Sequence, residues 1–251
     1  MIIGNPIAFG NTAEIYLHEN KIVKVFKDYL PHTESTYEAN KQRFAYSWGL
    51  SVPKVLDVTK IDGKQAIVME YIEGKTIGEL FFANMDQAEY YLDLSIDIQR
   101  EIHQIHAESF EPMSRKLRRQ LEAAPYLGII QKAELLRKLD SMTYENRLCH
   151  GDFHLLNLIM SDDKVTIIDW VDASAGDIRA DVCRTYLLYS ELSAEVAELY
   201  LRLYCGKSGL SKDEILQWSP ILAGARLAEN VSTESAERLM EIVNQYCPSV
   251  E

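Results

Sequence analysis

The sequence predicts an α+β fold in two lobes, a small β-rich N-terminal lobe holding one helix and a larger, mostly helical C-terminal lobe. Three observations predict it. Two hairpin patterns flank one helical stretch within the first 72 residues. After "EGKT" (73–76) the apolar spacing changes to that of long helices. A short β insert carrying polar residues then interrupts the helices near 148–169. The 251 residues, 47% apolar and 25% charged, suffice for two small lobes with a substantial core of the ordinary globular kind.

In order along the chain, "AEIYLHENKIVKVFK" reads as two short strands around the turn His18-Glu19-Asn20, because apolar and β-branched residues alternate on both sides of polar turn formers. A helix follows over Thr33–Trp48, ended by Gly49 and Pro53. "PKVLDVTKIDGKQAIVMEYI" supplies two more strands around Asp62-Gly63, a strong hairpin signal. Residues 86–108 bring Ala88, Tyr91, Leu92, Ser95, Ile98, Ile102, Ile105 and His106 close to one helical face. Shorter helices are expected over 113–124 and 127–141, the first carrying "RKLRR" as a solvated face. "SDDKVTIIDW" reads as a turn and a short strand ending on Asp169, and beyond Asp181 the chain is helical with breaks at Gly206 to Gly209 and Ser219-Pro220. The sequence contains no internal repeat or low-complexity segment. The lobes are expected at 1–72 and 73–251.

The 38 acidic and 26 basic residues leave a net charge of −12, a field that repels phosphate backbones and anionic membranes and attracts cations. Nucleic acid and membrane partners are therefore not expected; a small molecule, cationic or not, is. No apolar run reaches the roughly 18 residues of a spanning helix, and "MIIGNPIAFGN" lacks the basic flank and apolar length of a signal peptide, so the expected location is the cytoplasm. Cys149, Cys183, Cys205 and Cys247 form no C-x-x-C pair and read as reduced thiols.

Two tripeptides, Gly74-Lys75-Thr76 and Gly206-Lys207-Ser208, imitate a phosphate loop, but Met69 and Leu201 stand where its first glycine must curl the backbone. Both read as ordinary turns before helices. His150 and His154 are four apart without H-E-x-x-H, and Gly151 between them argues against the regular helix a zinc pair would need.

"LCHGDFHLLNLIM" (148–160) contains H-x-D-x-x-x-x-N as His150, Asp152 and Asn157. Phosphoryl transfer from ATP needs a carboxylate to orient the attacking hydroxyl and accept its proton, an oxygen ligand a few residues on for magnesium, and a second carboxylate on the metal. Asp152, Asn157 and Asp169 match those roles; any one alone would equally be a capped turn or a surface carboxylate.

"HGDFHLLNLI" followed by "IIDW" resembles the catalytic signature of the aminoglycoside phosphotransferase and choline kinase family, relatives of the protein kinases. The resemblance implies a two-lobed protein-kinase-like fold with the site in the cleft. It implies Lys24 in "KIVKVF" as the phosphate-binding lysine, although an exposed strand lysine like Lys21 or Lys27 fits the pattern too. Glu38 is its implied partner ahead of Glu34. "FGNTAEIY" stands for the nucleotide-covering loop, with Gly10, Asn11 and Thr12 amides toward phosphates, though it is not G-x-G-x-x-G. "VMEYIEG" resembles the lobe connector, with Glu70 and Ile72 backbone groups toward adenine. "AGDIRADVCRTYLL" resembles a segment whose aspartate braces the catalytic loop, here Asp181; His150 likewise orients that loop. "HLLN" departs from the "HPGN" of many relatives. Asp172, Asp177, Glu229 and Glu234 are acids of the region that lines the acceptor pocket in relatives; they fit solvated helix faces equally.

The expected activity is ATP- and magnesium-dependent transfer of the γ-phosphate to a small-molecule hydroxyl. Aminoglycoside, choline or ethanolamine, homoserine, methylthioribose and ketosamine acceptors all stay open, as does a catalytically silent nucleotide-binding regulator. Oligomeric state and the choice of ATP or GTP are not legible.

Overall fold

The structure, a computed structural model, describes residues 4–162, 164–229 and 234–248. Its elements in chain order are β1 Ala8–Phe9, β2 Ala13–His18, β3 Lys21–Phe26, α1 Glu34–Ser47, β4 Val55–Ile61, β5 Lys64–Glu70, β6 Lys75–Thr76, α2 Ile77–Ala83, α3 Ala88–Ile102, α4 Met113–Ala123 and α5 Ile129–Ser141. There follow β7 Arg147–Cys149, β8 Leu158–Ser161, β9 Lys164–Ile167, β10 Ser174–Gly176, α6 Ile178–Leu192, α7 Ala194–Ser208, α8 Lys212–Leu216, α9 Ser219–Arg226 and α10 Ala236–Tyr246. The chain divides into two compact units, Met1–Ala83 with Leu155–Asp172, and Asn84–His154 with Ala173–Glu251. These are divisions by compactness; the boundary expected from the sequence lies at 72/73.

The first unit holds an antiparallel sheet in the order β1-β2-β3-β5-β4, with α1 against β4 and β5. Its two-residue turns place Glu19 and Asn20, and Asp62 and Gly63, at positive φ, matching the twist of a hairpin. Alternation along β3 sends Val23 and Val25 into one cluster with Ile61 and Ala66, and Ile22 and Phe26 into another with Ala39 of α1. Lys24 shares the second parity, which turns it toward α1. A smaller sheet, β6-β8-β9, completes this unit. It closes tightly at Gly74: a Cβ there would meet the carbonyl oxygen of Met160. Gly74→Ala is therefore expected to cost about 1–3 kcal/mol, visible as a lower melting temperature with the fold retained.

The second unit is helical around α6, which packs on α7, α8 and α9, with the short ladder β7-β10 against it. Its buried large side chains include Leu92, Ile96, Ile102, Tyr200, Tyr204 and Trp218.

Three expectations need correction. The helix read over 86–108 is α3, ending at Ile102, because Ile105 leaves it to accept the Leu148 amide (2.8 Å) and His106 bridges to Arg147. Strand β9 ends at Ile167, not on Asp169, since Asp169 takes a left-handed backbone, φ 63°. Gly206-Lys207-Ser208 is the last turn of α7, where Lys207 pairs with Asp93 (2.8 Å) and Asp97 (2.7 Å) of α3. Among the described residues, no helix is long and apolar enough to cross a membrane.

Candidate active site

In the first unit, Lys24 Nζ lies 2.6 Å from Glu38 Oε1 and 2.9 Å from Asp169 Oδ1. The parity of β3 and the first turns of α1 bring the lysine and Glu38 together; Glu34, one turn earlier, makes no ion pair or hydrogen bond with Lys24.

 Burial pushes the Lys24 ammonium toward neutrality, but the charges of Glu38 and Asp169 outweigh it and hold its pKa above the ordinary value. Glu38 is itself buried, and its Oε2 has no hydrogen-bond partner among the described residues.

Asp169 is held at its turn by two bonds nearby: the Ile168 amide donates to the Asn157 carbonyl (3.0 Å), and Lys41 Nζ donates to the Val171 carbonyl (2.5 Å). A left-handed aspartate costs less than a β-branched residue would, so the turn is strained only mildly. Asn157 ends a 3₁₀ turn at Leu155–Asn157 and is buried; the Asp169 side chain is 40% exposed. One carboxylate and one amide thus offer hard oxygen donors, the kind a magnesium or calcium ion takes.

The turn joining β1 and β2 contains Gly10, Asn11 and Thr12. The Gly10 amide donates to the Ala13 carbonyl (2.8 Å), and the Asn11 and Thr12 carbonyls accept from Tyr29 Oη and the Lys27 amide. At the end of β5 the Glu70 amide donates to the Lys54 carbonyl (3.0 Å), while its side chain accepts from the Lys54 amide; half-buried Ile72 follows outside the strand.

In the second unit, Asp152 sits on a loop leaving β7. Buried Asp181, in the first turn of α6, braces that loop: its Oδ1 accepts the Gly151 amide (2.7 Å), and its Oδ2 accepts the His150 amide (3.3 Å) and lies 2.9 Å from His103 Nε2. His150 is buried too, and its Nδ1 accepts the Asp152 amide (3.3 Å). Thr185 Oγ1 donates to the Phe153 carbonyl (2.9 Å). Burial raises the Asp152 carboxyl, but the His154 hydrogen bond and the charges of His154, Arg184 and His150 pull it well below the usual carboxylate range.

Sequence reasoning missed Arg184 and His103. Arg184 stands one turn after Asp181 on α6, donates to the Gly151 carbonyl (3.1 Å), and lies 3.9 Å from Asp152 Oδ1. The i, i+3 spacing from Asp181 was the available signal. His103, the residue that caps the end of α3, follows Gln99 by four, and both reach Asp181.

The acids proposed for the acceptor are mostly engaged. Asp177 caps α6 through the Arg179 amide (2.8 Å), pairs with the Arg179 guanidinium and accepts Trp218 Nε1 (3.1 Å). Glu229 pairs with Arg184 (3.0 Å) and Arg226 (3.1 Å), and half-buried Glu234 with Arg226 and Arg238. A cation recognised by these three would have to share them with arginines. Asp172 lies half-buried in the turn after Asp169.

The Asp181 carboxyl, raised by burial, is pulled down further by the His103 hydrogen bond and charge and the Gly151 amide, for a net shift below the ordinary 3.8. A depressed carboxyl contributes stability that is present above that ordinary value and lost as pH falls through the folded-state pKa. Asp181→Asn is expected to cost about 2–3 kcal/mol at pH 7. Its stability should also fall less steeply than that of the wild type below pH ~4, which urea melts across pH 3–7 would measure.

The chain matches the model of the phosphotransferase enzyme family over residues 5–216. A comparison with curated protein sequences returns no match. Among solved structures it resembles a Haemophilus somnus 129PT protein assigned as a fructosamine-3-kinase, at 14% identity and TM-score 0.72, over 97% of this chain and 90% of that one. It also resembles a choline/ethanolamine kinase family protein from Mesorhizobium loti, at 16% identity and TM-score 0.63, over 97% and 86%. A third similar structure is an amicoumacin kinase in complex with AMP-PNP, Ca2+ and Ami, at 17% identity and TM-score 0.64, over 97% and 88%. With a small antiparallel sheet carrying a buried lysine–glutamate pair, and a helical region carrying the H-x-D loop, the chain belongs to the phosphotransferase enzyme family and is a small-molecule kinase of protein-kinase-like fold.

Proposed function

We propose that the protein transfers the γ-phosphate of ATP to a hydroxyl of a small molecule with a divalent cation, magnesium by preference. The observation that carries this reading is the Lys24–Glu38–Asp169 cluster, in which a buried ammonium is fixed between two carboxylates. Lys24, oriented by Glu38, binds phosphate oxygens, and the amides of Asn11 and Thr12 approach them from the β1–β2 turn, that of Gly10 being held by Ala13. Backbone groups at Glu70 and Ile72 take the adenine edge, the Glu70 amide itself being held by the Lys54 carbonyl.

Asn157 and Asp169 would hold the metal, which neutralises phosphate charge when bound. The amicoumacin kinase carries AMP-PNP with Ca2+, a nucleotide and a hard cation, which supports the same pairing for the oxygen donors here. Asp152 orients the acceptor hydroxyl and takes its proton, on a loop kept rigid by Asp181 and His150. In this reading residues 1–72 serve the nucleotide and 73–251 catalysis and the acceptor, with Asp172, Asp177, Glu229 and Glu234 as the acids available to it.

A coupled ADP-release screen tests this across amino sugars, amino alcohols, homoserine, thioribosides and ketosamines, with Asp152→Ala as the blank. Release above the blank with at least one acceptor is expected. Silence with every acceptor, together with retained nucleotide binding, would instead support a regulatory module.

A further inference from the structure

The second unit contains a cavity of about 410 Å³ formed where the ends of α3 and α7 meet the start of α6 and the segment before β7. Arg100, Arg147 and Arg179 line it, with His103, Tyr144 and Tyr204 among its walls. No role in nucleotide or acceptor binding falls to any of these six side chains; Asp177, named above among the acids available to the acceptor, also lines the cavity but is committed there to Arg179 and Trp218.

Their donors are unevenly used. Arg147 gives Nε and Nη2 to Glu145 and Nη1 to the Gln104 carbonyl. Arg179 gives Nε and Nη2 to Asp177 and the Thr143 carbonyl, while its Nη1 makes no hydrogen bond among the described residues. The Arg100 guanidinium makes none either; its nearest carboxylate is Asp97, 3.8 Å away, which Lys207 already engages at 2.7 Å. Glu145 and Asp177 hydrogen-bond the other two arginines, whereas Arg100 has only the 3.8 Å ion pair with Asp97, so its guanidinium N–H groups are the ones open to an incoming acceptor. A guanidinium fork without a protein acceptor, beside tyrosine rings, suits a carboxylate or phosphate group on a small flat body.

The cavity also touches the catalytic loop's brace. His103 Nδ1 lies 3.2 Å from Tyr204 Oη, and its Nε2 faces Asp181, whose other oxygen holds the Gly151 amide. We propose that this cavity is an effector site for a small organic anion seated on Arg100, and that its occupancy steadies His103 and through it the Asp181 hold on the loop.

Calorimetric titration of the full chain with phenyl phosphate, benzoate and inorganic phosphate tests the proposal, combined with hydrogen exchange at the His150 and Gly151 amides. Saturable binding of at least one organic probe is expected, weakened about tenfold or more in Arg100→Ala and less in Arg100→Lys, with loop exchange slowed on binding. A preference for phenyl phosphate would identify a phosphate ester as the ligand class, and a preference for benzoate a carboxylate. Arg100 is half-exposed, so its variants keep the fold. Absence of saturable binding, undiminished affinity in Arg100→Ala, or unchanged loop exchange would overturn the proposal.

Discussion

Replacing Asp152 with asparagine is expected to lower kcat by about 10²–10⁴-fold while changing nucleotide affinity by less than about threefold. The amide keeps the size and hydrogen-bonding reach of the side chain but has no negative charge to orient the hydroxyl and no basicity to receive its proton. His154, Arg184 and His150 hold the Asp152 carboxyl below the ordinary range, so it is a weak base in the resting enzyme. That suits a loose phosphoryl transfer, in which the hydroxyl needs aiming early and loses its proton late. The same shift keeps Asp152 ionised into the acid range, so an acid limb of kcat above pH ~5 would belong to another group. Turnover and nucleotide titration on the acceptor found in the ADP-release screen would decide the matter; an unchanged kcat would remove Asp152 from the chemistry.

The second large effect concerns stability. Lys24→Met is expected to cost about 3–5 kcal/mol, because it leaves Glu38, 1% exposed, and Asp169 as neighbouring carboxylates without their cation. For a chain of this size that is a fall in Tm on the order of 10 °C. The lysine's raised pKa means that its contribution is complete below the ordinary value of 10.5 and is lost only as pH rises through the folded-state pKa, so the whole cost is felt at pH 7. Adding Glu38→Gln to Lys24→Met should recover about half of it, since the buried charge is then gone. A single variant within about 1 kcal/mol of the wild type, or a double variant less stable than the single one, would contradict the paired-charge account.

Much of the site was legible because its residues lie close together in the chain or at fixed spacings. His150, Asp152 and Asn157 fall within eight residues, and the strand-turn-strand after them is written in turn formers and β-branched side chains. The pairing of Lys24 with Glu38 was legible in part: β3 alternation turns Lys24 to the α1 face, but the choice between Glu38 and Glu34 depends on how α1 is rotated against the sheet. Arg184 and His103 were not read, because each matters only through Asp181 and Asp152, residues 3 to 78 positions away whose proximity is made by helix packing. The end of α3 was misread for a related reason: Ile105 and His106 keep helical spacing but are drawn off to pair with β7.

By itself the sequence determined the hairpins, the order of elements and the residue types that phosphoryl transfer needs, since turn chemistry and apolar periodicity act over a few residues. The tertiary structure alone decided which charges meet. It set Lys24 between Glu38 and Asp169, committed Asp177, Glu229 and Glu234 to arginines, and left the Arg100 guanidinium with a 3.8 Å ion pair to Asp97 and no hydrogen bond. Ion pairing falls off within a few ångströms, and separations that small between distant residues are settled by packing rather than by local pattern.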